Sequence, residues 1–319
     1  MTVSRVVNDS GRVRPVTRRR VERAMRDLAY IPNRAARSLV VNKLGVLALV
    51  IPDISNPFFP LLARGAEAAA RAAGYTVILG NTDEKFDEED AFLRAACALR
   101  VDGVLLAPSG RRSRESLELL ARQRIPVVLI DRDVDGVPND IVRGESRRAA
   151  MLLTEHLIQH GHRRIGLISG PADISTAQER ERGFRDAMRE HDLEAVPALM
   201  RRAPYTRQGG HRAGLSLLSE PDQHRPTAVV TANNFLGFGL IDAARERDIR
   251  VPDDLAIVTF DDVEIVTDSP FFTCAAQPAE AMGRTAVERL IARLAGDESP
   301  YRETVLHTEV RIRRSCGCP

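Results

Sequence analysis

From Leu44 onward, short apolar runs alternate with stretches in which apolar positions recur every three or four residues. The runs at 47–51, 103–107 and 127–130 are apolar at successive positions, that at 75–79 is so but for Thr76, and all are too short for helices. Strands buried on both faces of a parallel sheet have this pattern. Between them, 60–73 (closed by Gly74), 88–99 and 114–124 have helical periodicity. The alternation then restarts. Helices are expected at 147–160, 179–191, 209–219 and 235–247, and strands at 165–169, near 199–201, at 228–231 and at 256–260. Two rounds of βα units imply two parallel-sheet lobes flanked by helices. Ligands of such sheets bind beyond the carboxyl ends of the strands, so two facing lobes make a cleft there.

Before Leu44 the pattern changes. Segment 17–28 reads as a helix with Val21, Met25 and Leu28 on one face and Arg and Glu opposite. Residues 1–43 hold eleven Lys or Arg against three Asp or Glu, a net charge of +8, which leaves −6 for the rest of a chain whose total is +2. A small basic module on an acidic body points to a polyanionic partner for the module alone. The basic stretch 34–43 followed by apolar 44–51 imitates a secretory leader. The apolar run is too short to span a membrane, ends at Pro52-Asp53 and starts far from the N-terminus, so it reads as a strand. No other stretch reaches membrane-spanning length, and a cytoplasmic protein with no membrane partner is expected.

The 319 residues allow two or three domains, and 44% hydrophobic content suffices for sizeable cores. Basic residues are nearly all Arg; only Lys43 and Lys85 are Lys. Of four cysteines, Cys97 lies in a helical pattern and Cys274 in a strand-like one, while Cys316 and Cys318 form a Cys-Gly-Cys pair. A metal site at that pair needs two more ligands, none is in sequence reach, and His307 stands alone. All four are read as reduced thiols, with no metal and no cofactor. His156 and His160 are four apart on a helix but lack an H-E-x-x-H frame, and read as a solvated face. The phosphate loop, the dinucleotide fingerprint and the G-x-S-x-G elbow are all missing, which argues against an enzyme.

Two motifs stand out in the basic segment. The first is Thr2-Val3-Ser4-Arg5-Val6-Val7-Asn8, followed by a loop with Gly11. The second runs Tyr30-Ile31-Pro32-Asn33-Arg34-Ala35-Ala36-Arg37-Ser38-Leu39. Arg5 has the fork that pairs with guanine O6 and N7. Thr2, Ser4 and Asn8 suit phosphate contacts. Leu39 suits an unstacking wedge. With the helix between them, the motifs resemble the second, third and hinge helices of the lactose/galactose repressor family. The resemblance implies that the first motif enters the major groove. It places the second, with Tyr30, Asn33, Arg34, Ala36, Arg37 and Leu39, in the minor groove of a palindromic operator. The family's first helix would precede Thr2 by about twenty residues. The chain is therefore expected to carry a partial headpiece, its true start lying upstream of Met1.

Residues 44–319 resemble the periplasmic sugar-binding-protein fold that this family uses for its effector domain. The landmarks are Asp53-Ile54-Ser55-Asn56-Pro57-Phe58-Phe59, Arg100-Val101-Asp102-Gly103-Val104, Gly161-His162-Arg163-Arg164-Ile165, Val251-Pro252-Asp253-Asp254-Leu255, Phe260-Asp261-Asp262 and Gln277-Pro278. The family fold implies three crossovers, with 279–307 returning to the first lobe. The expected organisation is thus α/β and two-lobed. A partial helix-turn-helix headpiece with its hinge helix (1–43) precedes an effector-binding and dimerisation body (44–319). Lobe one would hold 44–145 and 279–307, and lobe two 146–278 and 308–319.

A sugar site needs carboxylates, amides and Arg for hydroxyls, and an aromatic face for C–H surface. Candidates cluster at strand ends: Phe58 and Phe59, Asp131 and Arg132, Arg180, Tyr205, Asn233, Asp261 and Gln277. Position by position the set resembles that of ribose-binding proteins, which implies a monosaccharide such as a pentose. Each residue has a plainer role open to it. Asp131 or Asp261 suits a helix cap or an ion pair, Arg180 sits in a Glu-Arg-Glu-Arg run typical of solvated faces, the aromatics suit the core, and Asn234 reads as a structural cap. The expected protein is a homodimeric regulator, a repressor, whose affinity for double-stranded operator DNA is set by a small effector, a sugar, between the lobes. A sugar solute-binding protein is the alternative, but it calls for a leader and no basic head; a cytosolic α/β enzyme is the third reading.

Overall fold

The computed structural model describes residues 2–7, 13–30, 43–221, 223–262 and 271–318. Two six-stranded sheets organise the body. The first contains β1 (Val46–Ile51), β2 (Thr76–Asn81), β3 (Gly103–Leu106), β4 (Val127–Ile130), β5 (Asp140–Gly144) and β11 (Glu303–Leu306) in the order β11-β5-β4-β3-β1-β2, every pair parallel. The second contains β6 (Ile165–Ser169), β7 (Met200–Arg202), β8 (Ala228–Thr231), β9 (Ala256–Phe260), β10 (Thr273–Ala276) and β12 (Glu309–Arg311) in the order β12-β10-β9-β8-β6-β7, parallel except for the edge pair β10–β12.

Most of the apolar runs have the burial they call for: β1 is inaccessible from Leu47 to Ile51, and β3, β4, β6, β8, β9 and β10 are buried throughout; the run at 75–79 does not, because β2 is an edge strand that stays largely accessible. Each sheet is covered on both faces, giving four apolar cores. On the first sheet, α3 (Phe58–Ala72) and α10 (Ala279–Leu294) cover one face, and α4 (Phe86–Leu99) and α5 (Ser113–Arg122) the other. On the second, α6 (Ser146–Gln159) pairs with α7 (Ser175–Glu190), and α8 (Arg207–Leu218) with α9 (Asn234–Glu246). Helices α3 and α10 approach closely because Gly65 has no side chain; a Cβ there would lie 2.0 Å from the Glu280 carbonyl oxygen.

The chain passes between the sheets three times: after β5 at Glu145, between β10 and α10 at Gln277-Pro278, and between β11 and β12 at His307-Thr308. The first and third crossovers are bound to each other. The Glu145 backbone N–H donates to Thr308 Oγ1 at 3.1 Å, and its carboxylate lies 2.7 Å from His307 Nδ1 and 3.3 Å from the Thr308 amide.

Several elements differ from the sequence pattern, which does not foreshadow β11 or β12. Strand β5 is not foreshadowed, since Asp140 and Arg143 interrupt its apolar character. Asp140 is nonetheless fully buried, because Arg293 and Arg289 reach its carboxylate at 2.6 and 2.9 Å. Helix α7 starts at Ser175 rather than 179, since its polar first turn hides the onset. In the basic segment, α1 (Thr2–Val7) precedes α2 (Pro15–Asp27), which begins two residues before the expected helix because Pro15 suits the first turn. Val6 is buried, whereas α2 buries none of its residues. Among the described residues no helix is long and apolar enough to cross a membrane.

Candidate functional site

The segments that leave the strands at their carboxyl ends converge on one tight cavity with about 20 Å3 of free space. From the first lobe come Asp53, Asn56, Phe58 and Phe59 after β1, Glu84 after β2, and Asp131 and Arg132 after β4. The second lobe adds Thr176 and Arg180 after β6, Tyr205 after β7, Asn233 after β8, Asp261 after β9, and Gln277 after β10. All nine residues singled out from the sequence line it. Asp53, Asn56, Glu84 and Thr176 were missed, although each also follows a parallel strand; the Asp53–Phe59 landmark already contained two of them.

The two lobes build the site by the same device. Asp131 follows β4 and bonds through its amide to Val142 on β5 at 2.9 Å; Asp261 follows β9 and bonds to Ala275 on β10 at 3.0 Å. Both adopt left-handed backbone, with φ of 64° and 66°, which Asp tolerates better than most residues. Neither caps a helix. The cap is Asn233, whose side-chain oxygen accepts from the Leu236 amide at 2.9 Å. That corrects the assignment to Asn234, whose amide instead donates across the cleft to Asn56 Oδ1 at 3.0 Å. Asn234 is one residue too late to cap α9, since the chain already turns helical there.

Arg180 is not on a solvated face. It is 4% exposed, its guanidinium lies 4.0 Å from the centre of the Phe260 ring, and it donates to the Ala232 carbonyl at 2.5 Å. Arg132 is equally buried and donates both terminal nitrogens to Glu84 at 2.6 and 2.7 Å. Burial works against the Arg132 charge, but Glu84 and then Asp131 outweigh it and hold the group above the ordinary arginine range. Phe58 and Phe59 serve both core and cavity: they pack edge to face at 5.0 Å within the apolar cluster under β1.

Burial raises the Asp261 carboxyl above the usual carboxylate range, against the pull of Arg180 and a 2.9 Å hydrogen bond from Gln277. Burial likewise raises the Tyr205 hydroxyl. Four carboxylates and two guanidiniums face the cavity. Its buried polar atoms are incompletely used. Asp131 Oδ1, Arg132 Nε, Arg180 Nε, Tyr205 Oη and Gln277 Oε1 have no protein hydrogen-bond partner, five of nine such atoms among the described residues. Each unsatisfied buried group costs about 1–3 kcal/mol, so their concentration here marks a ligand's complement.

Residues 1–33 match the model of bacterial regulatory proteins of the lacI family, and residues 154–316 that of the periplasmic binding protein-like domain. The transcriptional regulator DegA of Bacillus subtilis is 33% identical over 98% of this chain and 93% of its own length. The chain belongs to the lacI family of bacterial regulatory proteins. A ribose operon repressor from Halalkalibacterium halodurans is 35% identical over 92% of this chain and 86% of its own. The structure of the regulator CelR in complex with cellobiose is 30% identical, with a TM-score of 0.77 over 98% of this chain and 94% of that one. As a lacI-family member the protein is a DNA-binding transcriptional regulator and not an enzyme. Of its DNA-contact candidates, Thr2 and Arg5 are exposed on α1, and Tyr30 is 50% exposed beyond α2. Ser4 lies on α1. Asn8, Asn33, Arg34, Ala36, Arg37 and Leu39, with the hinge helix, lie outside the described residues.

Proposed function

We propose that the protein is a cytoplasmic, homodimeric repressor in which residues 1–43 bind double-stranded operator DNA and residues 44–319 bind an uncharged monosaccharide, of pentose size, between the lobes. The observation that carries the effector class is the cavity itself. It collects unpaired donors and acceptors from both lobes, and carboxylates outnumber guanidiniums in it. A neutral polyol satisfies those atoms, whereas a phosphate meets an excess of negative charge. Relatives named for ribose and cellobiose support a sugar. Phe58, Phe59 and Tyr205 cover the ring; Asp131, Arg132, Arg180, Asn233, Asp261 and Gln277 take the hydroxyls. A ligand bridging both lobes binds the closed arrangement better than the open one. It therefore shifts that equilibrium, and the crossovers between the lobes transmit the shift toward the headpiece.

The basic head on an acidic body, and the lacI-family match at residues 1–33, set the protein apart from a sugar solute-binding protein. The reading is tested by a thermal-shift panel of pentoses, hexoses, sugar phosphates and nucleosides, followed by operator anisotropy with each binder. A monosaccharide should both raise the melting temperature and change operator affinity. A nucleoside that does so in place of sugars would overturn the effector class.

A further inference from the structure

About 160 positions separate His156 from Cys316 and Cys318 in the sequence, so the pattern alone gives the Cys-Gly-Cys pair no third ligand. The fold supplies one. His156 lies in the last turn of α6, and the segment after β12 folds back across that helix through a short 3-10 turn, Arg314–Cys316. Gly317 then takes left-handed backbone with φ of 80°, a conformation that glycine adopts without strain. This turn brings both thiols to the same side. His156 Nε2 lies 3.3 Å from Cys318 Sγ, and the three ligand atoms all fall within 4.8 Å of one another.

We propose that His156, Cys316 and Cys318 form a zinc site remote from the effector cleft. Zinc bound by two thiolates at about 2.3 Å and an imidazole at about 2.0 Å needs its ligand atoms roughly 3.5 Å apart. The His156–Cys318 pair already meets that spacing, and the widest pair closes by about 1 Å. Two thiolates with one imidazole are a borderline-soft set that favours zinc over magnesium or calcium. Binding releases one proton from each thiol and leaves a neutral Zn(S)2N centre whose fourth position faces solvent or an added ligand.

The surroundings suit the metal. Cys316 is buried in the core beneath α6, where its thiol donates to the Arg313 carbonyl at 3.1 Å and lies 3.0 Å from Thr273 Oγ1. Cys318 is half-buried. The His160 ring lies 4.3 Å from that of His156, tilted against it. Helix α6 follows the first crossover and the tail follows the third. The metal thus ties together the second-lobe ends of both.

The test uses the full chain, reduced and stripped with chelator, then titrated with zinc against a chromophoric competitor and separately with cobalt. The expected result is one zinc per chain, a thiolate-to-cobalt charge-transfer band, and a melting temperature that rises with zinc. Cys318→Ala and His156→Gln change half-buried side chains and should keep the fold, as circular dichroism will show. Each should weaken zinc at least about 100-fold, since even outer-shell partners cost 10–100-fold. A fully reduced wild type that takes up no zinc, or variants that bind it as tightly as wild type, would overturn the site.

Discussion

Replacing Asp261 with Asn separates binding from stability, and the structure fixes the sign of both effects. Asp261 is 5% exposed, and one carboxylate oxygen already accepts from Gln277 at 2.9 Å. The other oxygen is left to accept sugar hydroxyls. A hydrogen bond to a charged acceptor is worth about 1.5–3 kcal/mol, and turning the acceptor into an amide donor also strands a buried hydroxyl. A loss of about 3 kcal/mol weakens ribose roughly 100-fold. Stability should move the other way. The folded carboxyl titrates above its unfolded value of about 3.9, so the folded state binds more protons than the unfolded one across that interval. Wild-type stability from this group is therefore greatest at acid pH and falls as pH rises through the folded value; Asn has no such term. Calorimetric titration with D-ribose and urea midpoints at pH 4 and pH 7.5 read both effects. The variant should lose binding while its stability relative to wild type improves toward pH 7.5. Unchanged ribose affinity in Asp261→Asn would refute the role of this carboxylate in the cleft.

Asp140 has the opposite linkage. Burial pushes its carboxyl up, but Arg293, the Arg302 amide and Arg289 outweigh that and hold it below the ordinary value, so its contribution is present at neutral pH and is lost as pH falls through the folded value. Asp140→Ala should cost about 1–3 kcal/mol at pH 7 by urea unfolding, since it removes the carboxylate that Arg289 and Arg293 share while each keeps other partners, and less at pH 3. Gly65→Val should cost about 3 kcal/mol or more, because its side chain meets the Glu280 carbonyl and forces α3 from α10; an unchanged urea midpoint would show that the helices can separate freely. Operator affinity should fall steeply with salt, and Arg5→Ala should cost about 1–3 kcal/mol on operator but little on random DNA; equal losses on both would remove its base-reading role.

The sequence is most legible where one rule governs. Successive apolar residues at 47–51 or 256–260 have only the interior of a parallel sheet to enter, and the cleft residues follow because ligands gather at strand ends. It is least legible where a distant partner decides. Asp140 makes β5 a buried strand only because Arg289 and Arg293 arrive from α10, far along the chain. Arg180 leaves the solvated face its neighbours suggest because Phe260 stacks beneath it. Glu84 joins the cavity through its pair with Arg132, which no local pattern announces. The choice of Asn233 over Asn234 as cap turned on a single residue of helix phase.

The central claim is that an uncharged sugar fills a cleft in which carboxylates outnumber guanidiniums. Paired calorimetric titrations of the wild-type protein with D-ribose and with ribose 5-phosphate test it most directly. The account predicts saturable binding of ribose, one per chain, and a phosphate ester weaker by about 100-fold, the cost of setting a dianion beside Asp131 and Asp261 in a buried site. Tighter binding of the phosphate ester, or heat from neither sugar where a nucleoside saturates the site, would contradict it.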